Sequence, residues 1–152
     1  MAQQTELALP ELYIEDETAW LETMAELIKA GAYDELDYAS LREYLTDMAK
    51  RDRREVESRL VVLMMHILKW KHQPDQRSGS WRGSIIAQQQ ELSGAADGGV
   101  LRNHAESVLE RAYRKAVDRA AAETGLPPDA FRAECGYSVD ELLSFDRTAD
   151  GT

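Results

Sequence analysis

Apolar side chains recur along this chain at intervals of three and four, the period of helices with one buried face. Trp20, Met24, Leu27 and Ile28 form the earliest such run, opposed by Glu22, Glu26 and Lys29. The run predicts a helix from about Asp16 to Ala30, capped by Asp16, with Glu17 at the positive end of its dipole and Gly31 as the stop. Tyr33 to Asp37 reads as a turn, with Asp37 as the next cap and Leu36 as its hydrophobic staple. No Gly or Pro interrupts Tyr38 to His72. Leu41, Leu45 and Met48 mark an apolar stripe there, and Val56, Leu60, Leu63 and Ile67 continue it. Between them Lys50-Arg51-Asp52-Arg53-Arg54 has no apolar member, and Asp52 with Glu55 has capping-box spacing. A break or kink near Lys50–Asp52 is therefore expected.

Gln73-Pro74-Asp75 ends that helical stretch, and Ser80 is placed to cap a further helix carrying Trp81, Ile85, Ile86 and Leu92. Gly94 to Gly99 reads as a small-residue linker. A long helix from about Val100 to Thr124 follows, with Leu101, Ala105, Val108, Ala112, Ala116 and Ala120 on one face. Alanine at these positions lets a neighbouring helix approach closely. Gly125 and Pro127-Pro128 stop it, and Ser138 with Glu141 opens a short terminal helix. The expectation is an all-α fold, an antiparallel bundle of four to five helices with a short C-terminal helix. One helical-bundle domain is expected over 13–145, between a flexible N-terminal segment, 1–12, and a flexible tail, 146–152.

Composition sharpens this picture at three points. With 43% hydrophobic and 30% charged residues in 152, the chain has globular composition and enough length for a core without disulfides or metal. Cys135 is the single cysteine, so no intrachain disulfide forms. The start MAQQTELALPELY has no basic n-region or apolar h-region, and the run Leu60–Leu68, interrupted by His66, is too short for a bilayer. A reducing, cytoplasmic setting and no membrane association are expected.

The net charge of −10 opposes binding to polyanions, yet it is unevenly spread. Residues 1–48 carry a net −10, residues 49–90 a net +5 and residues 91–152 a net −5.

Several blocks are familiar as a set. TAWLETMAELIKAGAYDELD, ESRLVVLMMHILKWKHQP, SGSWRGSI, ETGLPPDAF and ECGYSVDELL, in this order and spacing, resemble the bacterial domain of unknown function family 29. The resemblance spans roughly residues 13–145 and implies an all-helical fold without implying an activity. Three positions depart from the family pattern. Ala49 stands where a helix-ending Gly is frequent, His72 where an aromatic such as Tyr is common, and Gly136 where Pro is usual, which implies a looser tail.

The most suggestive chemistry lies between Lys69 and Arg82. Lys69, Lys71, Arg77 and Arg82 alternate with Trp70 and Trp81 across a turn, a pattern that suits phosphate contacts and base stacking on single-stranded RNA or DNA. The competing reading makes the tryptophans packing anchors where two helices meet, with the cations paired to the acidic first helix. Arg59 and His66, two helical turns apart, fit the loose Arg…His spacing of helical HEPN ribonucleases, with His as acid or base and Arg as phosphate stabiliser. Glu55 offers Arg59 an ordinary i,i+4 partner instead, and His66 lies among core residues.

His66, His72, His104 and Cys135 have no metal-ligand spacing, and no phosphate loop, nucleophile elbow or cofactor fingerprint is present. Neither a metal nor a cofactor is expected. Asp34, Glu35, Asp37, Glu43 and Asp47 cluster as capping and helix-start residues do, so a solvated or internally paired face is expected there. The sequence therefore favours a non-enzymatic helical interaction or regulatory module that binds an unidentified protein partner or itself as a homo-oligomer. The alternative is a nucleic-acid-binding module or HEPN-like ribonuclease using the basic turn.

Overall fold

The computed structural model describes residues 7–146. Among them are six α-helices and no strand: α1 (Leu9–Glu15), α2 (Glu17–Lys29), α3 (Tyr38–His72), α4 (Gly79–Ala95), α5 (Gly99–Thr124) and α6 (Val139–Leu143). Short 3-10 turns occupy Tyr33–Glu35, Pro74–Gln76 and Pro128–Ala130. The all-α class and the short terminal helix agree with the sequence reading. Two boundaries do not.

The chain starts its helical structure earlier than expected. α1 begins inside the stretch 1–12 assigned to a flexible segment and runs on to Glu15, with Pro10 in its first turn, where a missing N–H costs nothing. Residues 1–6 and 147–152 of the two expected flexible segments lie outside the described residues. The break expected near Lys50–Asp52 is also absent, since α3 runs unbroken through Ala49 and all of 50–54. Ala, Lys and Arg are strong helix formers, so a stretch without apolar residues still propagates a helix. Glu55, assigned to a capping box, instead accepts from Arg59 one turn on, at 2.8 Å.

By their contacts the residues group into two compact units, one ending at Lys50 and the other beginning at Arg51. The division falls at the basic stretch because 50–54 offers no side chain for a core.

The first unit is built around Trp20, which is fully buried. Asp16 ends α1 and caps α2 by accepting from the Ala19 N–H at 3.1 Å, folding the two helices into a hairpin. Ring centroids of Tyr13 and Tyr44 lie 4.7 and 5.9 Å from Trp20. The indole Nε1 donates to Asp37 Oδ2 at 3.3 Å, while Asp37 Oδ1 caps α3 by accepting from the Ser40 N–H. Met24 is buried beside this centre, but Ile28 and Leu45, expected on buried stripes, stay 46% and 59% exposed. The packed side of α3 here carries Ser40 and Tyr44, so the Leu45 side is left open.

In the second unit, Arg59 reaches Gln88 and Glu91, while Lys69 lies over Trp81. α3 and α4 are therefore antiparallel. Glu57 pairs with Arg111 and Lys115, and Lys69 with Glu123, so α5 returns in the direction of α3. Ala105, Ala112, Ala116 and Ala120 on α5 are fully buried, as their spacing predicts. The largest wholly enclosed side chains around them include Leu60, Leu63, Met64, Ile67, Ile85 and Leu92. Gly125 closes α5 in the left-handed conformation (φ 75°), which glycine adopts without the Cβ penalty of other residues. Ser78 caps α4 in place of the expected Ser80, accepting from the Trp81 N–H at 3.2 Å. The Ser138–Glu141 capping box is present at the start of α6. α6 is fastened to α4 by Gln89, whose amide donates to Leu142 O and Phe145 O.

Candidate functional site

The basic, tryptophan-containing turn forms where α3 gives way to α4. Trp70 is 3% exposed and belongs to the main core, with Trp81 half-buried against it. Every cation singled out there is held against the chain's own groups. The Lys69 side chain is 11% exposed, paired with the Glu123 carboxylate, and its Nζ sits 4.6 Å from the Trp81 ring centre. Lys71 Nζ lies 4.8 Å over Tyr137. Arg77 donates from Nε to Trp70 O at 2.8 Å and lays its guanidinium 4.9 Å from the Trp70 ring, with Arg82 at 5.8 Å from the same ring.

Such contacts contribute about 0.5–2 kcal/mol each, depending on desolvation. They hold these cations against rings of the chain itself, while Lys71 and Arg82 stay exposed to solvent. The cations join α3, α4, α5 and the C-terminal segment; the ion-pair partner of Lys69 is on α5 and not on the acidic first helix. Trp70 Nε1 is buried without a hydrogen-bond partner among the described residues.

Arg59 and His66 sit two turns apart on α3 with separate engagements. Arg59 donates from Nε and Nη2 to Glu55 Oε1, at 3.0 and 2.8 Å, and from Nη1 to Gln88 at 3.2 Å. The Nδ1 of His66 bonds Val62 O at 2.8 Å. A shallow hollow of about 280 Å³ beside Arg59 is lined by Glu55, Ser58, Val62 and Gln88 but not by His66. A phosphate-cleaving pair needs both groups facing one reacting atom, with the Arg charge available. Here the Arg59 guanidinium is taken up by Glu55 and Gln88, and the His66 ring by the Val62 carbonyl.

The most perturbed carboxylate went unnoticed in the sequence. Glu57, on α3, accepts from Arg111 Nε and Nη2 at 2.8 Å each and from Lys115 Nζ at 2.9 Å. Hydrogen bonding from Arg111, aided by Lys115 and opposed by burial, holds its carboxyl at about 2. The only signal was the i,i+4 pair Arg111/Lys115, and nothing local ties that pair to a residue 54 positions away. It is a fully paired ion triad that fastens α3 to α5.

Among the described residues no group of three or more His, Cys, Asp or Glu is placed to hold a metal ion. His72 bonds Leu68 O through Nδ1, and its ring lies 4.6 Å from that of Phe131, tilted against it. Cys135 Sγ donates to Tyr137 O, and burial, then the nearby Glu110 and Glu141, pushes its thiol up, away from nucleophilic use.

The first unit presents a different surface. Six of the seven large apolar side chains exposed among the described residues belong to it: Leu7, Ile14, Ile28, Tyr33, Tyr38 and Leu45. Asp34, Glu35, Glu43 and Asp47 stand exposed among them. Tyr13 records this acidity, its phenol raised by burial and then by the charges of Glu43, Glu17 and Asp47.

Comparison with known families identifies one match, to the model described as "Domain of unknown function DUF29", over residues 12–147. The chain belongs to this family. No curated protein and no solved structure matches it. The DUF29 assignment accords with the helical fold and carries no activity. Ala49 lies inside the unbroken α3, and the His72 ring sits 4.6 Å from that of Phe131 at a tilt of 49°. At Gly136 the Arg132 side chain lies where a Cβ would project. No helix of the described residues is long and apolar enough to cross a membrane.

Proposed function

We propose that this DUF29 chain is a non-enzymatic protein-interaction module whose contact surface is its N-terminal unit. One observation carries the reading: exposed apolar side chains concentrate in the acidic unit of residues 7–50. Single exposed apolar residues are ordinary on any protein, but a concentration rimmed by charge is the composition of a binding surface. The basic turn supports this reading by default, because its cations and rings are already engaged within the chain. Arg59 and His66 lend no support to nuclease chemistry.

The test has two arms. Labelled single-stranded RNA at low and at moderate salt is expected to show no binding that Arg77→Ala/Arg82→Ala abolishes. Capture of partners from cell extract is expected to fall several-fold with Ile14→Glu or Leu45→Glu, each folded as judged by circular dichroism. Salt-sensitive RNA binding lost in the arginine variant, with capture indifferent to Ile14 and Leu45, overturns the reading.

A further inference from the structure

A hollow of about 570 Å³ opens in the second unit where α5 meets the segment that follows it. Its floor is apolar: Tyr113, Val117 and Phe131, each at most 9% exposed, belong to the main core. Its rim carries four exposed charges, Arg114 and Asp118 from α5 and Asp129 and Arg132 from the following segment. None of the four makes an ion pair with another described residue. Arg114 and Asp118 have i,i+4 spacing but run cation before anion, the less favourable order for pairing along a helix.

The path of the chain sorts these charges by sign. After Gly125 ends α5 the chain doubles back along it, and by Arg132 it has returned to Tyr113, whose hydroxyl donates to Arg132 O at 2.8 Å. Burial raises the Tyr113 phenol, and the positive Arg132 beside it opposes that rise. Arg132 therefore shares its end of the hollow with Arg114, the residue after Tyr113. Gly136 gives its guanidinium room there, since a Cβ at that position would stand 2.5 Å from Arg132 Nη1. Asp129 comes three residues earlier on the returning segment, towards the other end, where Asp118 lies one helical turn beyond Arg114. Two guanidinium groups thus stand at one end of an apolar floor and two carboxylates at the other. Glu110, one turn before Arg114, is engaged by the Cys135 N–H at 3.2 Å.

A guest with one charge of each sign and an apolar part matches this trough. Arg114 and Asp118 are about 6 Å apart along α5 at 1.5 Å per residue. A single amino acid is too short, because its ammonium and carboxylate share one carbon. Two residues in extended form span about 7 Å at most. We propose that the hollow binds a dipeptide with free termini. Arg114 and Arg132 take its carboxylate, Asp118 and Asp129 take its ammonium, and an apolar side chain lies on Tyr113, Val117 and Phe131. Guanidinium suits the carboxylate end because its paired N–H donors match the two oxygens. The volume falls within the range of small-ligand pockets, about 300–1,000 Å³. This site belongs to the second unit and does not depend on the reading of the first.

The test is isothermal titration calorimetry of the full chain with alanylphenylalanine, up to about 10 mM because a small ligand in an open hollow binds weakly. Saturable one-to-one binding is expected. Arg114→Gln/Arg132→Gln and Asp118→Asn/Asp129→Asn, each folded as judged by circular dichroism, are each expected to weaken it about tenfold or more, as loss of a charge-assisted pair does. Acetylating the N-terminus of the dipeptide or amidating its C-terminus is expected to cost as much, a test of the same point that leaves the protein unaltered. Free phenylalanine is expected to bind several-fold more weakly than the dipeptide. A wild-type chain without saturable binding overturns the proposal, as does binding that survives both double variants. Equal affinity for a blocked dipeptide overturns the dipolar fit, and equal affinity for phenylalanine overturns the match of length.

Discussion

Replacing Glu57 by glutamine removes one charge from the triad with Arg111 and Lys115 while keeping shape and an acceptor oxygen. In the folded protein the carboxyl is lowered from 4.5 to about 2, first by the hydrogen bonds from Arg111. At about 1.36 kcal/mol per pH unit, that fall corresponds to a ceiling of ~3.4 kcal/mol. The Glu57 side chain is only 12% exposed, but those of Arg111 and Lys115 are 54% and 53% exposed, so solvent screening reduces the gain. A loss of about 1–2 kcal/mol near neutral pH is expected, in the range of a charge-assisted bidentate pair.

The sign follows from the lowered folded value. The stabilisation is complete above the unfolded value near 4.5 and disappears as pH falls through about 2. Urea unfolding of wild type and Glu57→Gln, followed by far-ultraviolet circular dichroism at about pH 7 and about pH 3, measures both quantities. The two proteins should differ most at the higher pH, and the difference should shrink to less than half at the lower, which still lies above the folded value. An undiminished difference at low pH would refute the charge argument, and so would near-equality at neutral pH.

Two further outcomes follow from packing. Ala116 on α5 is fully enclosed, so Ala116→Leu is expected to destabilise by about 1–3 kcal/mol through overpacking; an unchanged urea midpoint would mean that α5 is not closely approached. Cys135 is expected to alkylate with iodoacetamide at about pH 8 several-fold more slowly than a free peptide thiol, and to accelerate in urea, because burial raises its thiol pKa. Equal rates with and without urea would contradict its placement.

What could be read from the sequence was mostly local. Asp16, Gly31, Gly125 and the Ser138–Glu141 box act within one helical turn, so their spacing alone reveals them. The alanine face of α5 was equally legible, since periodicity identifies a buried face whatever covers it. α1 was missed although Pro10 and Glu11 marked its start, because it is only seven residues long and runs directly into the cap of α2. The break at Lys50–Asp52 was misplaced for a more instructive reason: missing apolar residues report the limit of a core, and backbone continuity answers to helix propensity. The basic turn was visible as a composition, but its use was not. Glu123, Tyr137 and Phe145, which engage its lysines, lie more than 50 residues away in sequence. Leu45 was likewise read as part of a buried stripe yet is exposed, because a sequence shows which face is apolar and not whether anything lies against it.

The distribution of the three tryptophans provides a built-in set of optical reporters. Trp20 is the centre of the first unit, ringed by Tyr13 and Tyr44 and bonded to Asp37, while Trp70 and Trp81 lie in the second unit beside cationic groups. The emission of a Trp20→Phe protein therefore comes from the second unit alone, and its difference from wild type isolates the first. Intrinsic fluorescence, usually a single averaged signal, here resolves into two channels, so the order in which the two units melt becomes readable without attaching a dye.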